Sequence, residues 1–99
     1  MELTVLAVPD CPNVALLLQR LEQALPEARA PVRVHVITTD AEAARFGMHG
    51  SPTLLANGMD PFAAAGVGTS VSCRIYGGAD GRREGAPSVE QLREVLQRG

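Results

Sequence analysis

The sequence predicts a single α/β domain over residues 1–99, built on a mixed central sheet with helices on both faces. Three observations predict it. An apolar run, an amphipathic stretch of helical period and an alternating strand follow one another near the start, the order of a strand–helix–strand unit with parallel strands and a right-handed crossover. Two Ser/Thr-x-x-Glu/Gln boxes mark the starts of two further helices. A glycine-rich turn between two short segments near the end supplies an antiparallel hairpin.

Leu3 to Val8 is a short apolar run closed by Pro9, which suits a strand buried on both faces. Pro12 fits the first helical position, because its missing N–H would be unpaired there in any case, and this puts Cys11 at or next to the N-cap. Val14, Leu17, Leu18, Leu21 and Leu25 recur at helical spacing, with Gln19, Arg20, Glu22 and Gln23 on the other face and Pro26 as the stop. Val32, Val34 and Val36 alternate with Arg33 and His35, the pattern of a half-exposed strand near a sheet edge. Thr39 and Glu42 form a capping box for a short helix through Phe46 that Gly47 can end. Thr53 to Ala56 reads as a core strand followed by the Asn57-Gly58 turn.

Met59 to Ser72 reads as an ordered loop, rich in Pro, Gly and Ala. A strand from Val71 to Tyr76 then turns through Gly77 to Gly81 into a polar strand from Arg82 to Gly85. Ser88 and Gln91 cap the closing helix, whose buried face is Val89, Leu92, Val95 and Leu96.

Composition narrows the function classes. Hydrophobic residues make up 45% of the 99, enough for one core, and with three aromatics that core is built mainly from Leu, Val and Ala. A net charge of −2 supplies no electrostatic attraction for nucleic acid or an anionic membrane, so neither is expected as a partner. Every basic residue is Arg, which reflects base-composition bias rather than function. No apolar run approaches the roughly 20 residues of a membrane span. The N-terminal residues lack the pattern of a signal peptide, so the expected location is cytoplasmic. In a reducing compartment the two cysteines are expected to be reactive, metal-binding or inert rather than a permanent bridge.

Cys11-Pro12 after a buried strand, Gly50-Ser51-Pro52-Thr53 before a core strand, and Gly85-Ala86-Pro87-Ser88 before the last helix stand in an order that resembles the thioredoxin superfamily. The resemblance spans nearly the whole chain. It implies a cis Ser51–Pro52 bond beside Cys11, and a backbone at Ser51 that offers itself to an extended substrate peptide by strand addition. The chain departs from that family at Val14, where the second cysteine of Cys-x-x-Cys would stand, so a dithiol cycle within the motif is excluded. The pattern also resembles short bacterial thioredoxin-like proteins, some labelled alkylmercury lyase, through Val8 to Asn13, Gly47 to Thr53, Asp60 to Phe62 and Ser72 to Tyr76. That likeness implies a connection to soft metals.

Cys11 is the candidate nucleophile. At a helix N-terminus a thiolate accepts free backbone N–H groups and meets the positive end of the dipole, while the adjacent Asp10 opposes it. The alternative is an inert, half-buried thiol. If the strand after Pro52 runs away from the Cys11 end and the last strand returns to it, Cys73 lies at the same end as Cys11; otherwise it is a core residue. Together the two sulfurs would serve as attacking and resolving thiols, or as ligands for a soft cation. His49 and Asp60 are further ligand candidates without a metal-site spacing of their own. Ser51 and Pro52 are the candidate substrate-binding residues, and Arg74, Arg82 and Arg83 read as a solvated sheet face. The leading expectation is a thiol-dependent, oxidoreductase-like protein with a thiol or peptide substrate and no cofactor. A soft-metal or organomercurial thiol-binding protein and a redox-inert interaction module are its rivals.

Overall fold

A computed structural model describes residues 2–25, 31–64, 66–77, 81 and 83–97, and among these the architecture is mixed α/β with three helices. The elements are β1 (Leu3–Ala7), α1 (Asn13–Ala24), β2 (Val32–Val36), α2 (Asp40–Phe46), β3 (His49–Ser51), β4 (Thr53–Ala56), β5 (Ser70–Cys73), β6 (Tyr76–Gly77), β7 (Arg83–Glu84) and α3 (Val89–Gln97). No helix among the described residues is long and apolar enough to cross a membrane.

β1 lies at the centre of a three-stranded sheet of order β2-β1-β4. It runs parallel to β2, Leu3 opposite Val32 and Ala7 opposite Val36, and antiparallel to β4, Leu3 opposite Ala56 and Leu6 opposite Thr53. Alternation along β1 sends its side chains to two cores. Leu3 and Val5 join Leu54 and the buried faces of α1 (Leu17, Leu21, Ala24) and α3 (Leu92, Leu96). Leu6 joins Ile37, Met48 and Ala43 of α2 on the opposite face. Helices therefore cover both faces of the sheet, as expected.

The local signals act as their chemistry dictates. Thr39 Oγ1 accepts the Glu42 N–H, and Gly47 ends α2 in the left-handed conformation at φ 80°. The Glu42 carboxylate accepts chiefly from the N–H and hydroxyl of Thr38. Ser88 and Gln91 form the full reciprocal box at the start of α3. Asn57 and Gly58 take φ 52° and 82°, the two positive values that a tight hairpin turn of the primed type requires. β2 is half-exposed at the sheet edge: Val32 packs on the first core, Val34 and Val36 remain about half exposed, and His35 lies against Phe46 of α2.

One mixed sheet is the expectation; three separate sheets are present among the described residues. Pro52 offers no N–H between β3 and β4, so the run from His49 to Ala56 cannot form one continuous ladder. The expected strand from Val71 to Tyr76 is also divided. Its first part, as β5, pairs in parallel with β3, and its last part, as β6, pairs antiparallel with β7, Tyr76 opposite Glu84. Residues 78–80 and 82 of the expected hairpin lie outside the described residues.

α1 is tied to the segment that leads into α3. Arg20 meets Glu84 with both terminal nitrogens and donates to the carbonyls of Ala86 and Pro87. Gly85 lies against the side chain of Asn13 so closely that any Cβ there would collide with it. This explains the glycine that begins the Gly85-Ala86-Pro87-Ser88 segment, and it sets that segment beside the start of α1.

Candidate functional site

The chain leaves β1 through an exposed corner in which Asp10 takes φ 58°, a left-handed value that Asp tolerates better than most residues. Cys11 follows, half-buried, and Pro12 is the N-cap of α1 at φ −68° and ψ −19°. The Val14 N–H meets the Cys11 carbonyl at 3.3 Å, which closes the first turn. No side chain caps this helix. The helix therefore starts one residue later than expected, with Pro12 as the cap rather than the first helical residue, and Cys11 stands next to that cap.

Ser51 lies beside this corner and is 1% exposed. Its hydroxyl accepts the Val8 N–H at 3.0 Å, three residues before Cys11, and its carbonyl accepts the Arg74 N–H at 3.0 Å. Its partner across the β3–β5 ladder is Cys73. The Ser51–Pro52 bond is cis, and the Pro52 carbonyl accepts the Tyr76 hydroxyl at 2.6 Å. The carbonyl that the resemblance would offer to a substrate peptide is therefore already occupied, at this residue, by the chain's own segment.

Cys73 ends β5 with its side chain exposed, on the wall of a surface hollow of about 380 Å³ shared with His49, Phe62, Val67 and Ile75. It is not a core residue. Both cysteines are free thiols. Ser51 is what relates them: one of its groups holds the strand leading to Cys11, and another holds the strand carrying Cys73.

Behind Cys73 is a polar cluster built on Arg74. Its guanidinium donates to Asp60 Oδ2 at 2.6 Å, to the Phe62 carbonyl at 3.0 Å and to the Thr53 hydroxyl at 3.2 Å, and it lies 4.5 Å from the centre of the Tyr76 ring. Thr53 Oγ1 in turn donates to the Gly50 carbonyl and accepts the His49 N–H. Phe62 meets Tyr76 edge-on at 5.7 Å. Among the described residues no buried side-chain nitrogen or oxygen lacks a partner. Burial pushes the Tyr76 phenol well above its ordinary value near 10; the Arg74 charge opposes this and the Asp60 charge adds to it.

Two expectations need correction here. Arg74 is not part of a solvated face, because it is folded inward onto Asp60, with only 12% of its side chain exposed. Asp60 is not a spare ligand: one oxygen faces Arg74 and the other accepts the Phe62 N–H. His49 is turned towards the Gly68 carbonyl, 3.3 Å from Nδ1. Arg82 lies outside the described residues, and Arg83 is exposed on β7. Among the described residues no group of three or more His, Cys, Asp or Glu side chains could hold a metal ion.

Sequence reasoning missed the Arg74–Asp60 pair, although a signal for it was present. The stretches Gly47 to Thr53, Asp60 to Phe62 and Ser72 to Tyr76, which carry one of the resemblances, all meet at this guanidinium. Gly50 is the second signal. It takes φ 100°, and a Cβ there would lie 2.9 Å from Arg74 Cβ and 3.2 Å from the Ser72 carbonyl, so β5 can approach only a glycine. No family model, curated protein or solved structure matches this chain.

Proposed function

We propose that this chain is a thiol-dependent redox protein of thioredoxin-like arrangement, with Cys11 as nucleophile and Cys73 as resolving thiol. The observation that carries the reading is the double engagement of Ser51. Its hydroxyl holds Val8, just before Cys11, while its backbone holds the strand in which Cys73 is its direct partner. The missing second cysteine at Val14 is then supplied from β5. The half-buried Cys11 beside the α1 cap suits attack, and the exposed Cys73 suits resolution.

With a small disulfide as oxidant, the steps balance. The Cys11 thiolate attacks one sulfur, forming a mixed disulfide and expelling one thiolate, which takes up a proton. The Cys73 thiolate then attacks Cys11 Sγ and expels the second thiolate. The protein gains a disulfide and the reagent is reduced to two thiols. Run in reverse, the same steps oxidise two small thiols, or a peptide dithiol, to a disulfide while the protein disulfide is reduced to two thiols, the direction following the relative potentials.

The test is intact-mass analysis after treatment with oxidised glutathione. Wild type is expected to end as an internal disulfide without adduct, Cys73→Ser as a stable adduct on Cys11, and Cys11→Ser without a bridge. The bridge closes a long loop, so oxidation is expected to raise wild-type stability by about 3–5 kcal/mol and to leave both variants unchanged. Adducts that persist on wild type at either cysteine, with no bridge, would overturn the reading.

A further inference from the structure

We infer that Arg74 is a positioning residue, forming with Asp60 an internal latch that holds β5 on β3 and so keeps Cys73 opposite Ser51. This rests on the thiol-pair reading for its purpose, though the latch itself can be measured without any redox chemistry.

Little else holds β5. It has four residues, of which only Val71 packs against a core; Ser72 and Cys73 are exposed. Its ladder with β3 is two-stranded, and the register shifts between His49 and Ser51. A two-stranded pair of this length, lacking an apolar face of its own, is marginal in water. Two backbone bonds lie at its ends, Ser70 N–H to the Met48 carbonyl at 2.9 Å and Arg74 N–H to the Ser51 carbonyl at 3.0 Å.

Arg74 supplies what β5 lacks. The backbone N–H that reaches Ser51 belongs to the same residue whose guanidinium binds three points outside β5: Thr53 at the start of β4, and Asp60 and Phe62 in the loop after it. Holding the side chain therefore holds the backbone bond beside Cys73. The Asp60 side chain is only 4% exposed, and its second oxygen is engaged by the Phe62 N–H, so the carboxylate is fixed before Arg74 arrives. A planar fork with several donors can reach all three acceptors, whereas a lysine ammonium cannot reproduce that geometry. Gly50 provides the remaining condition, the space that lets Arg74 approach β3.

The consequence is kinetic. A thiol on a strand of its own would wander; one fixed beside Ser51 has a high effective concentration toward the Cys11 corner. Loosening the latch should leave Cys73 chemically intact but badly placed.

Two readouts on Asp60→Asn, Arg74→Lys and Arg74→Met separate the claims. The first is amide exchange in the reduced proteins at Ser70 and Arg74, with Val5 and Leu21 as controls for the fold. Exchange at the two β5 amides should rise about tenfold or more, with the controls unchanged. The second is the lifetime of the glutathione adduct on Cys11, which should lengthen about tenfold or more in Asp60→Asn and Arg74→Met, and in Arg74→Lys as well. Unchanged exchange at Ser70 and Arg74 overturns the latch, whatever the chemistry does. Faster exchange with a wild-type adduct lifetime overturns the positioning role and leaves the thiol-pair reading standing. Wild type that never resolves its adduct overturns that reading, and the positioning role with it. Should Arg74→Met lose its control protection, Asp60→Asn, which keeps the shape of the side chain, decides the matter.

Discussion

Around Leu17, nine buried side chains from β1, β4, α1, α3 and the segment before α3 meet with no polar atom among them. Around Arg74, the contacts are an ion pair, a hydroxyl hub, two carbonyls and an aromatic face. Apolar packing is non-directional, and its energy follows area and volume, so a lost methylene costs in proportion and its neighbours partly relax. The polar corner is directional. Removing one donor there strands an acceptor that has already given up water, and the cost is set by the group left behind. A buried ion pair of this kind adds little net stability over an apolar replacement, yet breaking it is expensive. The apolar half thus supplies stability, while the polar corner supplies a particular arrangement of β3, β5 and the loop between β4 and β5.

The largest effect should come from the apolar half. Leu17 is fully buried, and Leu17→Ala should cost about 2–5 kcal/mol of unfolding free energy, read from the denaturation midpoint in urea at unchanged slope. Its hallmark is breadth: α1, α3 and β1 amides should all lose protection, because the cluster joins them. A loss confined to α1 would mean that α1, α3 and β1 do not form one cooperative unit.

A smaller, more local effect is expected at Tyr76. Its hydroxyl donates to the Pro52 carbonyl, so Tyr76→Phe leaves that acceptor unpaired at a cost of about 1–3 kcal/mol. The pH dependence gives a second readout. Burial raises the folded-state value of the phenol above its unfolded value near 10, so the folded protein retains a proton that the unfolded chain releases. The associated stability is complete below about pH 10 and is lost as pH rises further toward the folded value. Tyr76→Phe should remove this alkaline loss. An identical alkaline profile in wild type and variant would show that the phenol is not sheltered.

The two halves were also unequally legible. Leu17, Leu21, Leu92 and Leu96 repeat at helical spacing, and the caps at Thr39 and Ser88 are local in sequence, so the helices could be read directly. The same holds for Asn57-Gly58 and for Cys11 beside Pro12. β5 could not be read that way. Its partner is the three-residue β3, and a parallel pair with shifted register leaves no alternating signature in either strand. Arg74 is a single charge whose partner Asp60 is fixed only by the course of the intervening chain, so periodicity could not distinguish it from a solvated arginine. From sequence, only strand direction through a hairpin with the last strand places Cys73 near the Cys11 end. The chain instead brings Cys73 beside Ser51 through β3.

The smallest expected effect tests whether burial, rather than polar bonding itself, makes the Arg74 corner demanding. The start of α2 has a comparable set of polar contacts in an exposed setting: Glu42 accepts the Thr38 hydroxyl at 2.6 Å and the Thr38 N–H at 3.1 Å, and Thr39 accepts the Glu42 N–H. The Thr38 hydroxyl bond is the main cause that lowers the Glu42 carboxyl below its ordinary 4.5, followed by the Thr38 N–H, with a lesser pull from His35. A carboxyl lowered in the folded state contributes stability above its unfolded value and loses it as pH falls through the folded one. Acid should therefore loosen the first turn of α2 only below the ordinary carboxylate range. Thr38→Val removes the hydroxyl and keeps the N–H, so the Glu42 midpoint, followed by carboxyl chemical shift, should move up toward 4.5 without reaching it. Global stability at neutral pH should barely change, because water can replace the lost partner. A loss as large as that of Tyr76→Phe would mean that exposed polar contacts in this protein are as demanding as buried ones, and the contrast between the two settings would fail.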